Sequence, residues 1–253
     1  MPHAVALLVV VLTVSLGRWQ IGRAHEKQAL QARIEAAQRD IPLDNEALRN
    51  ALDRGDPLAQ LSERRVRVQG RFLPDKTVFA DNRQMGGIAG FHVIAPFEIT
   101  GIERPVLIVR GWVPRDPADR NALPTFITPP RQVIEGQIQL RSDRALELGR
   151  FMPGPSDRLW PNVTVERFEA WSGQKLQPWV IREGRTLAPG EPAQPLGADA
   201  SALGRLVQLW PAPSVGIDKH YGYAFQWFSL AGLTCALWGF FSWRARRAGT
   251  IPV

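Results

Sequence analysis

Only one cysteine, Cys235, occurs in the 253 residues, and it lies within the most apolar stretch of the chain. The remainder therefore has no disulfide, no Cys-x-x-Cys and no thiolate metal site, which excludes thioredoxin-like and copper-delivery chemistry. Histidine is almost as scarce. Outside the apolar ends only His92 and His220 are candidates for chemistry, with His25 beside the first apolar run. Gly-x-Ser-x-Gly, His-Glu-x-x-His and Walker patterns are all missing, as is any phosphate-cradling glycine pattern followed by a helix. With no nucleophile–base pair in view, the chain is not expected to be an enzyme. Nor does it contain a Lys/Arg block with interleaved aromatics. The net charge of +7, from 31 basic and 24 acidic residues spread along the chain, marks a solvated surface and not a nucleic-acid groove.

Long uncharged runs are present, and they lie at the two ends. Tyr221 to Trp243 has no charged residue and is followed at once by Arg244, Arg246 and Arg247. About 20 apolar residues cross a hydrocarbon core, so this run predicts a transmembrane helix. Tyr221, Tyr223 and Trp227 near one end, with Trp238 and Trp243 near the other, suit the two interfaces, and the arginines predict a cytoplasmic C-terminus. Pro2 to Gly17 is also apolar and lacks a cleavage pattern, so an uncleaved anchor is expected in place of a removed signal. Its flanking Arg18 and Arg23 conflict with the orientation set by the second span. A start codon placed too far downstream would account for this and for the missing basic lead.

Between the runs lies room for one domain of ordinary size. Arg23 to Arg39 has high helix propensity and continues the first span until Pro42 stops it; Leu43 to Leu61 is a polar helix-and-loop stretch. Arg65 to Phe72 alternates polar and apolar and, with Thr77 to Ala80 after Pro74-Asp75, predicts a hairpin. Phe91 to Phe97 and Val106 to Val113 are more continuously apolar, as central strands are. Val133 to Leu140, Trp179 to Arg182 and Leu206 to Trp210 complete the strands, and Thr164 to Trp171 is a helix capped by Asn162 or Thr164. Asp81-Asn82-Arg83 is expected to form a turn with an Asp–Arg contact, a binding loop being the other reading, and Met85 to Gly90 a flexible connector. Gly184 to Ala202 reads as a surface loop. The fold class expected is a membrane protein in which two transmembrane helices flank an antiparallel α+β exported domain. Its bounds are 3–22 for the first span, 23–219 for the domain, 220–243 for the second span and 244–253 for the cytoplasmic tail.

His92 opens an apolar strand and is expected to be a structural residue. His220 stands immediately before the second apolar run, and helical spacing places it with Tyr223, Ala224 and Trp227 on one face. Imidazole is a common metal ligand that haem iron accepts axially. Contact with lipid headgroups or with the underside of the domain is the other reading of the same position.

Several segments, taken in order, resemble the surfeit-locus-one family of cytochrome c oxidase assembly proteins. Gly17-Arg18-Trp19-Gln20 with Arg23 and Lys27 resembles the close of its first span, and Val66 to Phe72 its first strand. Asp81-Asn82-Arg83, Gly90-Phe91-His92-Val93, Pro96-Phe97 and Arg110-Gly111-Trp112-Val113-Pro114 are similar to its central signature. His220-x-x-Tyr223-Ala224-x-x-Trp227-Phe228 is similar to the opening of its second span. Asp218-Lys219, where many relatives have an Asn, departs from the pattern.

The resemblance implies a chaperone of respiratory-chain biogenesis in a bacterial inner membrane, with its central domain periplasmic. It would bind haem a transiently and assist its insertion into oxidase subunit I. His220 would be the iron ligand, with Tyr223, Trp227 and Lys219 as further cofactor-binding residues. Subunit I is the implied partner, and the haem a synthase a further one. A membrane-edge site suits a cofactor whose farnesyl tail can enter lipid while Lys219 pairs with a propionate. The alternative is a cofactor-free scaffold that stabilises an oxidase intermediate by helix packing through Ala224, Ala231, Gly232 and Ala236.

Overall fold

The computed structural model describes residues 2–119, 122–125, 131–140, 151–187, 206–210 and 216–248. The chain forms two compact units, residues 1–35 with 214–253 and residues 36–213.

The first unit consists of two long helices, α1 (Pro2–Arg39, which leaves the unit at residue 35) and α5 (Ile217–Ala248). Both are long and apolar enough to cross a membrane, and little of either apolar segment is buried in protein. No proline interrupts either helix after Pro2, and Pro42 follows the end of α1 because the residue before a proline leaves the α region. Three hydroxyls bond within their own helix. Thr13 and Ser15 donate to the carbonyls of Val9 (2.8 Å) and Val11 (2.7 Å), and Thr234 to that of Leu230 (2.8 Å). The helices extend beyond the limits drawn around the two apolar runs, since propensity carries α1 through its Gln/Glu/Arg segment.

The second unit is a sheet domain. Its strands are β1 (Arg65–Phe72), β2 (Val78–Met85), β3 (Ile88–Ile99), β4 (Val106–Pro114), β5 (Gln132–Gln139), β6 (Leu159–Trp160) and β7 (Val180–Glu183). A separate two-stranded pair joins β8 (Arg185–Thr186) to β9 (Leu209–Trp210). The main sheet closes on itself. β1 pairs with β5 along Arg65–Gly70 and with β3 along Gly70–Phe72, so β1-β5-β7-β4-β3 form a ring from which β2 and β6 extend. Closure removes the free edges of the five-stranded part. β1 alternates exposed and buried along its whole length, which turns Val66, Val68 and Phe72 inward. There they meet Phe97, Ile99, Ile108, Ile134, Ile138 and Ile181. α2 (Asn45–Asp53), capped by the Asp44 side chain at 2.8 Å from the Ala47 amide, lays Leu48 and Ala51 on this core, and α3 (Leu58–Leu61) adds Leu61.

A second core lies around Trp112, Trp160, Phe168 and Trp210, with α4 (Val165–Ser172) supplying Phe168. Thr164 caps α4 as expected, accepting from the Arg167 amide at 3.2 Å, and Gly173 ends it in the left-handed conformation at φ 71°.

Four expectations are corrected. The sheet is mixed, because β4–β7 and β2–β6 are parallel while the other pairs of the main sheet are antiparallel. Parallel neighbours need a long crossover, and the segment carrying β6 and α4 between β4 and β7 belongs to that connection. β1 and β2 do not form a hairpin. A 3-10 turn at Pro74–Lys76 separates them, and the hairpin is β2–β3, closed by Gly86 and Gly87 at φ 58° and 80°. That is the positive-φ pair a tight two-residue turn requires, so the glycine run is a hairpin turn and not a loose connector. Asp81-Asn82-Arg83 is likewise no turn. It is an irregularity inside β2, where the register shifts between Ala80 and Arg83 and Asn82 takes φ 53°. Most of the Gly184–Ala202 segment lies outside the described residues, and its first residues enter β8.

Candidate functional site

In the first unit His220 lies on the seam between α1 and α5. On α1 the buried positions Thr13, Gly17 and Ala24 follow the three-and-four spacing of one helix face, with Gln20 among them. On α5, Ala224 and Ala231 are buried and His220 and Trp227 half-buried. Gly17 allows a close approach, since a Cβ there would stand 2.8 Å from the Phe228 ring. Small residues at such a seam let two backbones pack without large side chains between them.

Polar contacts register the two helices. His220 Nδ1 lies 2.7 Å from the amide oxygen Oε1 of Gln20. The Tyr221 hydroxyl donates to Gln28 Oε1 at 3.3 Å, and the Trp238 indole donates to His3 Nδ1 at 2.7 Å. Of the residues grouped with His220 by helical spacing, Ala224 and Trp227 share its half-buried side, whereas Tyr223 is 51% exposed. Lys219 is exposed. The helix pair thus brings His220 together with Gln20, a residue the sequence reading quoted only as part of a motif. A lone glutamine three residues after the seam glycine was the available signal.

In the sheet domain the polar groups are held structurally. His92 is 9% exposed, paired across the sheet with Ala80 and Trp112, and burial followed by the Arg83 and Arg182 charges pushes its pKa down to about 3. Arg83 is buried and donates to the Asn162 side chain (3.0 Å) and the Asp81 carbonyl (2.9 Å), while the Trp112 indole donates to the Arg83 carbonyl at 2.8 Å. Asp81 pairs with Arg115. The β2 irregularity therefore links β2, β4 and the entry to α4. Glu183 is shifted upward by burial, against the pull of Arg110 and a hydrogen bond from Gln208. A groove of about 950 Å³ over β1, β5 and β7 presents Arg65, Arg67, Glu135 and Arg185. Arg67 and Glu135 pair there at 3.1 Å with both side chains largely exposed, where such pairs contribute little.

A sequence model of the SURF1 family matches residues 7–232, from the first helix into the second. The chain belongs to the SURF1 family.

Relatives of this SURF1-family chain include a SURF1-like protein of Monosiga brevicollis, 27% identical over 252 residues, which cover 92% of this chain and 85% of the relative. A SURF1-like protein of Rickettsia felis is 26% identical over 244 residues, or 90% of this chain and 91% of the relative. The human Surfeit locus protein 1 is 24% identical over 260 residues, covering 92% and 75%. The family model runs from within α1 into α5, so the resemblance read from scattered motifs holds across the sheet domain and into both helices.

Among the described residues of this SURF1-family chain, no three His, Cys, Asp or Glu side chains gather as a metal cluster. What the seam offers at His220 is an imidazole with Nδ1 engaged by Gln20, as His3 is engaged by the Trp238 indole. A haem iron that takes one axial imidazole fits such a donor, whereas a multidentate ion does not.

Proposed function

We propose that this chain is a membrane-anchored assembly factor for haem-copper cytochrome c oxidase, which holds haem a at His220 and assists its insertion into subunit I. The observation that carries the reading is His220 itself. Its imidazole stands in the first turn of α5 with Nδ1 already engaged by Gln20, which leaves the second nitrogen to act as ligand. Membership of the SURF1 family supports the oxidase assignment. The two apolar helices support a membrane location, and Arg244, Arg246 and Arg247 after the second favour the periplasmic side for the sheet domain.

Haem a is the cargo, delivered and passed on, and catalysis is not required of the protein. Lys219 is exposed beside His220 and can pair with a propionate, while exposed Tyr223 and half-buried Trp227 offer aromatic surface to the ring. Subunit I would receive the haem, and the haem a synthase would be its source.

The cofactor-free scaffold remains a second reading because part of its proposed packing surface is open. Ala224 and Ala231 are buried, but Gly232 and Ala236 are exposed, and a Cβ at Gly232 would meet nothing. These could receive a helix of an oxidase subunit.

The deciding experiment compares wild type, His220→Ala and His92→Ala, purified as full chains from cells that make haem a. We expect haem bands in the wild type and in His92→Ala, and their loss or a strong shift in His220→Ala. The oxidase from His220→Ala cells should also contain less haem. An unaltered spectrum with full occupancy in His220→Ala removes the ligand role. Wild type that never carries haem, with assembly still dependent on the protein, leaves the scaffold.

A further inference from the structure

The contact between His220 and Gln20 joins residues 200 positions apart and lies on the seam that docks the two helices. An amide oxygen can only accept a hydrogen bond. At 2.7 Å from Gln20 Oε1, Nδ1 is therefore the nitrogen that donates, and in the Nδ1–H tautomer the lone pair resides on Nε2. Without a partner, either nitrogen can hold the proton.

We propose that Gln20 is a positioning residue that holds His220 as its Nδ1–H tautomer and so presents Nε2 as the ligating atom. For the identity of the ligand this rests on the haem reading above; for the tautomer it does not. Three features of the seam support it. Gly17 and Ala24, on either side of Gln20 along the same face, are small, so a long amide side chain can cross to α5. Glutamine supplies a carbonyl oxygen that can accept the Nδ1–H hydrogen bond without adding charge to the seam. Finally, the contact exists only while α1 and α5 are docked, which ties the orientation of the ligand to the packing of the pair. Ligating histidines in general donate their other N–H to an acceptor of this kind, which fixes both tautomer and ring plane.

The first test needs no cofactor. The chain has four histidines, so the ¹⁵N resonances of His220 in the full protein in lipid nanodiscs can be assigned by difference against His220→Ala. We expect a protonated Nδ1 and a pyridine-type Nε2 near neutral pH; the reverse pattern overturns the proposal. The second test titrates haemin into wild type, Gln20→Leu and Gln20→Glu. Gln20→Leu should weaken binding about 10-fold or more, as loss of such an outer partner generally does. Gln20→Glu should keep the affinity and move the midpoint potential of the bound iron to a more negative value, because a stronger acceptor makes the imidazole a better donor. Gln20→Leu with wild-type affinity and potential overturns the proposal. If Gln20→Leu does not fold, the nitrogen assignment in wild type decides alone. A wild type with protonated Nδ1 that takes up no haemin upholds the role of Gln20 and removes the haem reading instead.

Discussion

The imidazole of His92 meets the indole of Trp210 edge-on, with ring centroids 5.0 Å apart and planes at 90°. The guanidinium of Arg182 stacks on the same indole at 5.4 Å. His92 is thus enclosed between aromatic surface and two arginines, and the neutral ring is the form this site accepts.

That enclosure makes stability depend on pH. The folded pKa of about 3 lies below the ordinary value of 6.5, so between those limits the unfolded chain binds the extra proton. Stability attributable to His92 is complete above about pH 6.5 and is lost as pH falls towards 3, by up to about 1.4 kcal/mol per pH unit. Glu183, whose pKa is raised, acts in the opposite sense, with its contribution lost as pH rises. Urea unfolding of the full chain followed by tryptophan fluorescence, compared with His92→Leu, isolates the histidine. Equal pH slopes for the two proteins between 6.5 and 4 would refute this account.

Gly136 should tolerate no side chain. It lies on β5 opposite Glu183, and a Cβ there would collide with the Arg182 carbonyl oxygen and approach Ile181 Cγ2 within 2.8 Å. Backbone cannot swing aside as a side-chain tip can, so Gly136→Ala is expected to destabilise the domain by about 1–3 kcal/mol. The comparison is Gly232→Ala, whose Cβ meets nothing and which should leave the domain's melting temperature unchanged. Equal melting temperatures for the two variants would contradict the predicted clash.

Topology is open to reporter fusions. If Arg244 to Arg247 are cytoplasmic, alkaline phosphatase fused near Gly190 is active and the same enzyme fused after Val253 is inactive. Activity in the reverse pattern would place the sheet domain on the cytoplasmic side and end the periplasmic reading.

Elements with a strong local period were legible in advance. β1 shows full alternation, β3 and β4 show continuous apolar character, and Thr164 has an acceptor three residues before the amide it caps. The failures were failures of pairing. Two neighbouring strands suggested a hairpin, yet β1 turns to β5 and β3, which lie far along the chain. The short polar triplet at Asp81 has the composition of a turn, but Ala80 and Arg83 continue the same strand around it.

Composition and periodicity by themselves determined that this chain has two apolar helical ends around a sheet domain without disulfides, because runs, alternation and cysteine count are local properties. They also singled out His220, by its place before the second run. Only the tertiary structure decided that the sheet closes through β1, that β7 lies parallel to β4, and that Gln20 meets His220. Each of these depends on which distant backbone or side chain satisfies a given hydrogen-bonding group, and no local period encodes that choice.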